Sequence, residues 1–281
     1  VTASQGAGYT TINNVNATFS NGVEDSVTNL TKSATEISDD LDAITSDNGA
    51  ALVTIDDDAF ATSNSTIAAT RLSAIGGSTT GTVTVSNAVK ITGTQSDVTA
   101  ALVTEASKVT ASTAIVNITD NAFANTNSTI AASDLKNIGN ATSGTVTVDN
   151  LVKVTGNQAD VTAALVTEAS KVVFATGNTL AEVSNAVTAA QGQAIAATTN
   201  ISAAFAGGVT DSVSNLYDNG NTAISTNYTA IKNDDSDVEV TIDDNAFANT
   251  NSTIAAAKLS AIGNATTGTV TVSNAVKISG S

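Results

Sequence analysis

The chain has 281 residues, enough to bury a sizeable core, with 26 acidic against 10 basic side chains and a net charge of −16. It contains no Cys, His, Met, Trp or Pro, which removes disulfides, thiol nucleophiles, the commonest general base and the usual zinc ligands. So few cations argue against nucleic acid, whose phosphates are neutralised by Lys and Arg, and no apolar run approaches the roughly 20 residues of a membrane-spanning helix.

Taken in order, the chain repeats itself. Val1–Leu30 parallels Val187–Leu216 at an offset of 186 residues, which becomes 187 by Ile37 and Ile224. Asn21–Asn48 and Gly207–Asp235 are richer in charge, and the second carries Tyr217 and Tyr228, which marks these segments for lateral contacts. Ile55–Gly93 (IDDDAFATSNSTIAATRLSAIGGSTTGTVTVSNAVKITG) returns at Ile118–Gly156 and Ile242–Gly280; the last copy matches the first at 31 of 39 positions and the second at 29. Phe60, Phe123 and Phe247 mark the register. Asp97–Val109 and Asp160–Val172 share DVTAALVTEASKV. Residues 1–186 therefore form one super-repeat and 187–281 half of a second, expected to be continuous without separate globular domains. Low aromatic content also suits disorder, but disordered tracts do not hold Val, Ile, Leu and Phe in register over such distances.

Within one repeat, GTVTVSN (Gly81–Asn87, again from Gly144 and Gly268) alternates Thr and Val and stops at Asn, a short half-buried strand and a turn. VKITG (Val89–Gly93) reads as a second short strand. Asp97 is a candidate N-cap for a helix over Val98–Ser107, with Lys108 complementing its dipole. Thr126–Asn140 reads as a helix capped by Ser128, with Ala131, Leu135 and Ile138 on one stripe, and Gly139, Gly76 and Gly263 stand where a left-handed C′ residue is wanted. The basic coil is strand, Asn turn, short strand, helix, about 31 residues long. In Val172–Ile231 the coils shorten to near 22 residues, with KVVFATGN a strand edge and AEVSNAVTAAQ a helix.

This pattern predicts a repeat solenoid: a right-handed parallel β-solenoid with short helices on part of the coils, an α/β solenoid. The alternative is an all-β solenoid in which STIAA is a third strand. Phe60, Phe123, Phe247, Val83, Val85, Val146, Val148, Val270 and Val272 should point inward and stack.

Chemistry is sparser. Asp56, Asp57, Asp58, Asp243 and Asp244 lie in acidic loops whose carboxylates neighbouring coils could pool into an oxygen site for calcium, the one candidate cofactor, although no complete calcium-loop motif is present; the plain alternative is Asp as a turn and capping residue. Asp39, Asp40, Asp42, Asp234, Asp235 and Asp237 are similar. Catalytic carboxylates need one special place, whereas these clusters recur with the repeat, so no enzyme is expected. Thr82/Thr84, Thr145/Thr147 and Thr269/Thr271 resemble the flat Thr rows of ice-binding solenoids. Asn-x-Ser/Thr sequons at Asn16, Asn64, Asn127, Asn140 and Asn251 follow from composition.

The run STIAAAKLSAIGNATTGTVTVSNAVKISG, with GTQSDVTAAL after its first copy, resembles the tandem repeats of giant cell-surface and exported proteins of marine cyanobacteria. The resemblance implies an extracellular or cell-surface structural protein and supplies no catalytic residues. Both ends of the sequence stand at interior phases of the pattern. The expectation is a head-to-tail homopolymer, a filament or surface layer, in which Val1–Thr18 packs against Thr267–Ser281 of the next subunit. Val1, Tyr9, Ile12, Val15, Val270, Val272, Val276 and Ile278 are its candidate assembly residues. The second reading is an adhesin stalk, or a carbohydrate- or ice-binding surface module with polysaccharide as partner.

Overall fold

The computed structural model describes residues 1–12, 16–104, 106, 109–167, 172–174, 177–220, 222–251 and 253–280. Parallel β-sheets alternate with helices throughout, an α/β architecture rather than an all-β one. Two compact units interleave along the chain. One holds Val1–Asn121, Asp134–Asn150 and Ala169–Ala175; the other holds Ala122–Ser133, Leu151–Glu168 and Thr176–Ser281. These divisions cut across the super-repeat boundary.

The first unit has two parallel sheets. One is ordered Val23–Asp25, Val53–Ile55, Val83–Val85, Val109–Thr110. The other runs Val172–Phe174, Val146–Val148, Ile115–Ile118, Lys90–Gly93, Thr66–Ala68. Like stacks on like: Val53 on Val83, Ile55 on Val85, Ile67 on Ile91, and Ile91 on Val116. All of these residues are buried, and each Val or Ile so covered is worth about 1.5–3 kcal/mol of transfer free energy. The second sheet joins the TIA and KITG strands of the first copy to the VNI and VTV strands of the second.

The second unit has a sheet ordered Ile201–Ala204, Thr179–Val183, Lys153–Gly156, Thr129–Ala131 and another ordered Val209–Asp211, Val240–Ile242, Val270–Val272. Thr253–Ala255 pairs with Lys277–Ser279, and Tyr217–Asp218 forms the antiparallel exception with Ala223–Ile224. Ala181 faces Ala203 and Val187 bridges to Val209, a 22-residue step in both cases.

Several local expectations change. The helix expected over Val98–Ser107 is Gln95–Leu102, and Glu105, Ser107 and Lys108 lie outside the described residues. Thr94, not Asp97, is its N-cap: Thr94 adopts extended backbone and accepts from Asp97 N–H, while the Asp97 carboxylate accepts Thr94 N–H in return, a reciprocal capping box. STIAA satisfies both readings at once. Thr66–Ala68, Thr129–Ala131 and Thr253–Ala255 are strands that run directly into the helices Ala69–Ser78, Ala132–Ala141 and Ala256–Gly263, so Ser128 caps nothing. The helices run through Gly76 and Gly139 and end on Gly263, and none of the three takes positive φ. The turn to the next strand is made instead by extended Thr79 or by Asn264. AEVSNAVTAAQ divides between the strand Thr179–Val183 and the helix Ala189–Ala196.

Val83, Val85, Val146 and Val148 are buried as expected, but Val270 and Val272 are half-buried because their strand is the outermost of its sheet. The three phenylalanines do not point inward. Phe60 and Phe123 are half-buried and Phe247 is 37% exposed, because each starts a one-turn helix outside the sheet. There each ring lies beneath a lysine 30 residues further on: Lys90, Lys153 and Lys277 Nζ stand 5.5, 5.7 and 5.6 Å from the ring centres. Such cation–π pairs contribute about 0.5–1 kcal/mol each at exposed sites. The helical turns end on Asn64, Asn127 and Asn251 at φ 55, 52 and 53, a left-handed position that asparagine tolerates. Lys153→Met should therefore cost less than about 1 kcal/mol in a urea titration, although Lys153 also pairs with Glu182.

One device recurs between coils. Buried Thr79 Oγ1 donates to Ala51 O at 2.7 Å and accepts Gly81 N–H at 2.9 Å. Thr142 does the same with Ala114 O and Gly144, and Thr266 with Val238 O and Gly268. The glycine of this Thr-x-Gly motif presses on the backbone it faces. A Cβ on Gly144 would stand 2.1 Å from Ala114 O.

Candidate functional site

The acidic loops serve the helices. Asp57 Oδ2 accepts the Val27 N–H at 2.7 Å, the first residue of the helical turn Val27–Leu30, from 30 residues away. Asp244 does the same for Val213 N–H, also at 2.7 Å. Asp25 takes Ala3 N–H, Asp211 takes Ala189 N–H, Asp120 takes Gln95 N–H and Asn185 takes Gln158 N–H. In every case a carboxylate or amide oxygen of a later coil meets the free N–H at the start of an earlier helix, where negative charge is favoured. The loops are held in turn by asparagines: Asn87 Nδ2 donates to Asp57 O and Asn274 Nδ2 to Asp244 O, both at 2.9 Å.

Within each loop the candidate calcium ligands differ in exposure and in task. Asp56 and Asp58 are exposed, Asp57 and Asp244 are half-buried caps, and Asp243 is exposed. Among the described residues no three acidic side chains converge on a metal position. Partial loss of solvent, with Asp25, Glu24 and Asp57 nearby, pushes the Asp56 carboxyl above the usual range. Burial also raises Asp235, helped by a hydrogen bond with Asp237, while the Phe205 N–H it accepts at 2.7 Å works the other way. Asp57→Ala should cost about 1 kcal/mol in chemical denaturation and Asp57→Asn less, as for other N-cap losses. Addition of a chelator should leave the melting temperature unchanged.

The assembly candidates fall in two places. Val1, Tyr9 and Ile12 are 43%, 53% and 50% exposed around a groove of about 380 Å³; Val15 lies outside the described residues. Ile278, on the outer strand Lys277–Ser279, is 57% exposed and Val276 beside it is half-buried. Tyr217 and Tyr228 do not offer lateral contacts, being 9% and 0% exposed. Tyr217 opens the short strand that follows the helical turn Val213–Leu216 and carries Lys258 Nζ 5.7 Å above its ring, and Tyr228 lies on the buried face of the helix Thr226–Asp234.

Two features escape the sequence pattern. A polar open cleft of about 610 Å³ lies in the second unit, lined by Thr188, Asn215, Tyr217, Asp218, Asn227 and Asp211; Asp211 is already engaged by Ala189, Ser212 and Asn215. The Tyr228 hydroxyl is buried without a hydrogen-bond partner. The Thr rows are short: Thr54, Thr84 and Thr110 stack, as do Thr241 and Thr271, but Thr147 faces Asn117. No helix among the described residues is long and apolar enough to cross a membrane.

No protein-family model, no curated protein and no solved structure matches this chain.

Proposed function

We propose that the chain is a non-catalytic structural repeat protein, an α/β solenoid whose coils stack by parallel strand addition and whose copies join into an extracellular filament or surface layer. The observation that carries this reading is the coil-to-coil register: Thr on Thr, Ile on Ile, and an Asp or Asn cap reaching back to the preceding helix. Such an arrangement needs only another coil of the same kind to continue, and it uses its acidic side chains to hold that stack rather than to do chemistry. Exposed apolar residues, Val1, Tyr9 and Ile12 on and beside the helix Ala3–Thr10 and Ile278 on the strand Lys277–Ser279, are the surfaces through which copies would join, and the open edge of that strand can template further pairing. A net charge of −16 suits an exported material kept soluble until it assembles.

Sedimentation velocity tests this. The wild-type chain should show species that grow with concentration, whereas Ile278→Pro and Ile278→Asp should remain monomeric with unchanged circular dichroism. A wild-type chain that stays monomeric at its highest soluble concentration overturns the proposal. The second reading, an adhesin or carbohydrate-contacting module, draws support from the polar cleft with Tyr217, Asn215 and Asn227. It predicts saturable binding of soluble polysaccharide that is lost in Asn227→Ala.

A further inference from the structure

Residues 187–235 repeat residues 1–48, and both copies build the same frame after their first strand. A helical turn, Val27–Leu30 or Val213–Leu216, leads to an antiparallel pairing, Thr31 with Ile37 or Tyr217 with Ile224. The helix Asp39–Asp47 or Thr226–Asp234 follows. The side chains on this frame differ. In the first copy Lys32 Nζ pairs with Asp39 Oδ1 at 2.9 Å. In the second copy Asp218 and Thr226 stand at those two positions, and both line the polar cleft of about 610 Å³. Asp40 of the first copy is Asn227 in the second, and the one-residue insertion that shifts the offset between the copies falls between Leu216 and Ile224. The departures from the repeat therefore gather at one cleft. The coils that follow the first copy leave this place uncovered, since the Lys32 and Asp39 side chains are 51% and 91% exposed.

The chemistry of the walls narrows the ligand. Asp211 is engaged by Ala189 N–H, Ser212 N–H and Asn215 Nδ2, so it braces the cleft. Asp218 Oδ1 accepts the Gly220 N–H at 2.8 Å, which fixes its carboxylate on the rim. Among the described residues no hydrogen bond engages the side chains of Asn219 and Asn227, and Asn227 is half-buried. A half-buried amide of this kind calls for a partner. No Lys or Arg lines the cleft, and its two carboxylates and the net charge of −16 oppose an anion. Tyr217 is 9% exposed, so it offers little face for an aromatic ligand. What remains is a neutral ligand rich in hydroxyls. A primary amide presents donors and an acceptor side by side, a pattern that two neighbouring hydroxyls of a sugar ring complete. The volume falls within the roughly 300–1,000 Å³ of small-ligand sites.

We propose that this cleft is a binding site for a neutral saccharide, with the Asn219 and Asn227 amides pairing with its hydroxyls and the Asp211 and Asp218 carboxylates excluding anionic glycans. The inference rests on the carbohydrate-contacting reading above and gives it a ligand class and a cause: the second copy has lost the ion pair that joins Lys32 to Asp39 in the first.

The test is an NMR titration of the full chain with neutral glucan, mannan and galactan oligomers, and with alginate oligomers as the anionic counterpart. At least one neutral oligomer should saturate a single site and move the side-chain amide signals of Asn219 and Asn227, while alginate moves neither. Asn227→Ala should weaken that binding at least tenfold. So should the double variant Asp218→Lys with Thr226→Asp, which rebuilds the ion pair of the first copy across the cleft. Circular dichroism separates lost binding from lost folding, and if the double variant misfolds, Asn227→Ala carries the comparison alone. Binding of a neutral oligomer that survives Asn227→Ala or the folded double variant overturns the site and leaves the chain a carbohydrate-contacting protein. Tighter binding of alginate than of any neutral oligomer overturns the ligand class in the same way. If no oligomer binds, the inference and the reading beneath it fall together.

Discussion

Gly144→Ala is expected to destabilise the chain by about 3 kcal/mol, at the upper end of what overpacking costs. The added methyl carbon would lie 2.1 Å from Ala114 O and 2.7 Å from its carbonyl carbon. Both atoms are backbone, so no rotamer change relieves the clash and the two coils must separate. Separation also lengthens the Thr142 to Ala114 hydrogen bond and loosens Val146 from Val116 in the same ladder. Gly49→Ala, where the nearest atom is 3.7 Å away, should change stability by less than about 1 kcal/mol. Equilibrium urea unfolding of the two variants side by side gives the comparison; equal midpoints would show that the coils are not pressed together at this motif.

Tyr228 should make stability fall at alkaline pH. Burial pushes its phenol up to about 12 from an ordinary value of 10.0, and its hydroxyl has no hydrogen-bond partner. The unfolded chain ionises this group near pH 10 while the folded chain holds it neutral. Its effect on stability is therefore nil below about pH 10, and stability is lost as pH rises toward about 12. The loss amounts to about 2 kcal/mol. Tyr228→Phe removes both the titration and the unpaired hydroxyl while keeping the ring. It should be as stable as wild type or up to about 1 kcal/mol more stable at neutral pH. The gap should widen between pH 10 and 12. Parallel alkaline unfolding curves for the two proteins would contradict this assignment.

The strands were the most legible part of the sequence. Val83 and Val85 flank Thr84 in a period of two, and their copies repeat it, so both the strand and its inward face could be read directly. The helix starts were less legible, because Thr94 and Asp97 are both good capping residues and only the reciprocal geometry assigns their roles. STIAA resisted assignment because a strand and a helix meet inside five residues, with no turn between them. The partners of the acidic loops were hidden for a different reason. Asp57 is a turn residue in its own coil, and the Val27 N–H that uses it is 30 positions away. A local pattern cannot reveal this, although the recurrence of Asp and Asn at one phase of each coil was a signal that something at coil spacing needed an acceptor. Phe60, Phe123 and Phe247 look like core residues from hydrophobicity alone, but each starts a one-turn helix outside the sheet, where a lysine 30 residues further on lies over its ring.

The central proposal, that copies continue one another's parallel ladders, is tested most directly by diffraction from oriented assemblies of the wild-type chain. Coils that stack across the junction between copies as they do inside the chain give a strong reflection along the assembly axis at about 4.8 Å, the spacing of neighbouring strands. Assemblies that lack this reflection along the axis, or a chain that yields only monomers, would contradict the proposal.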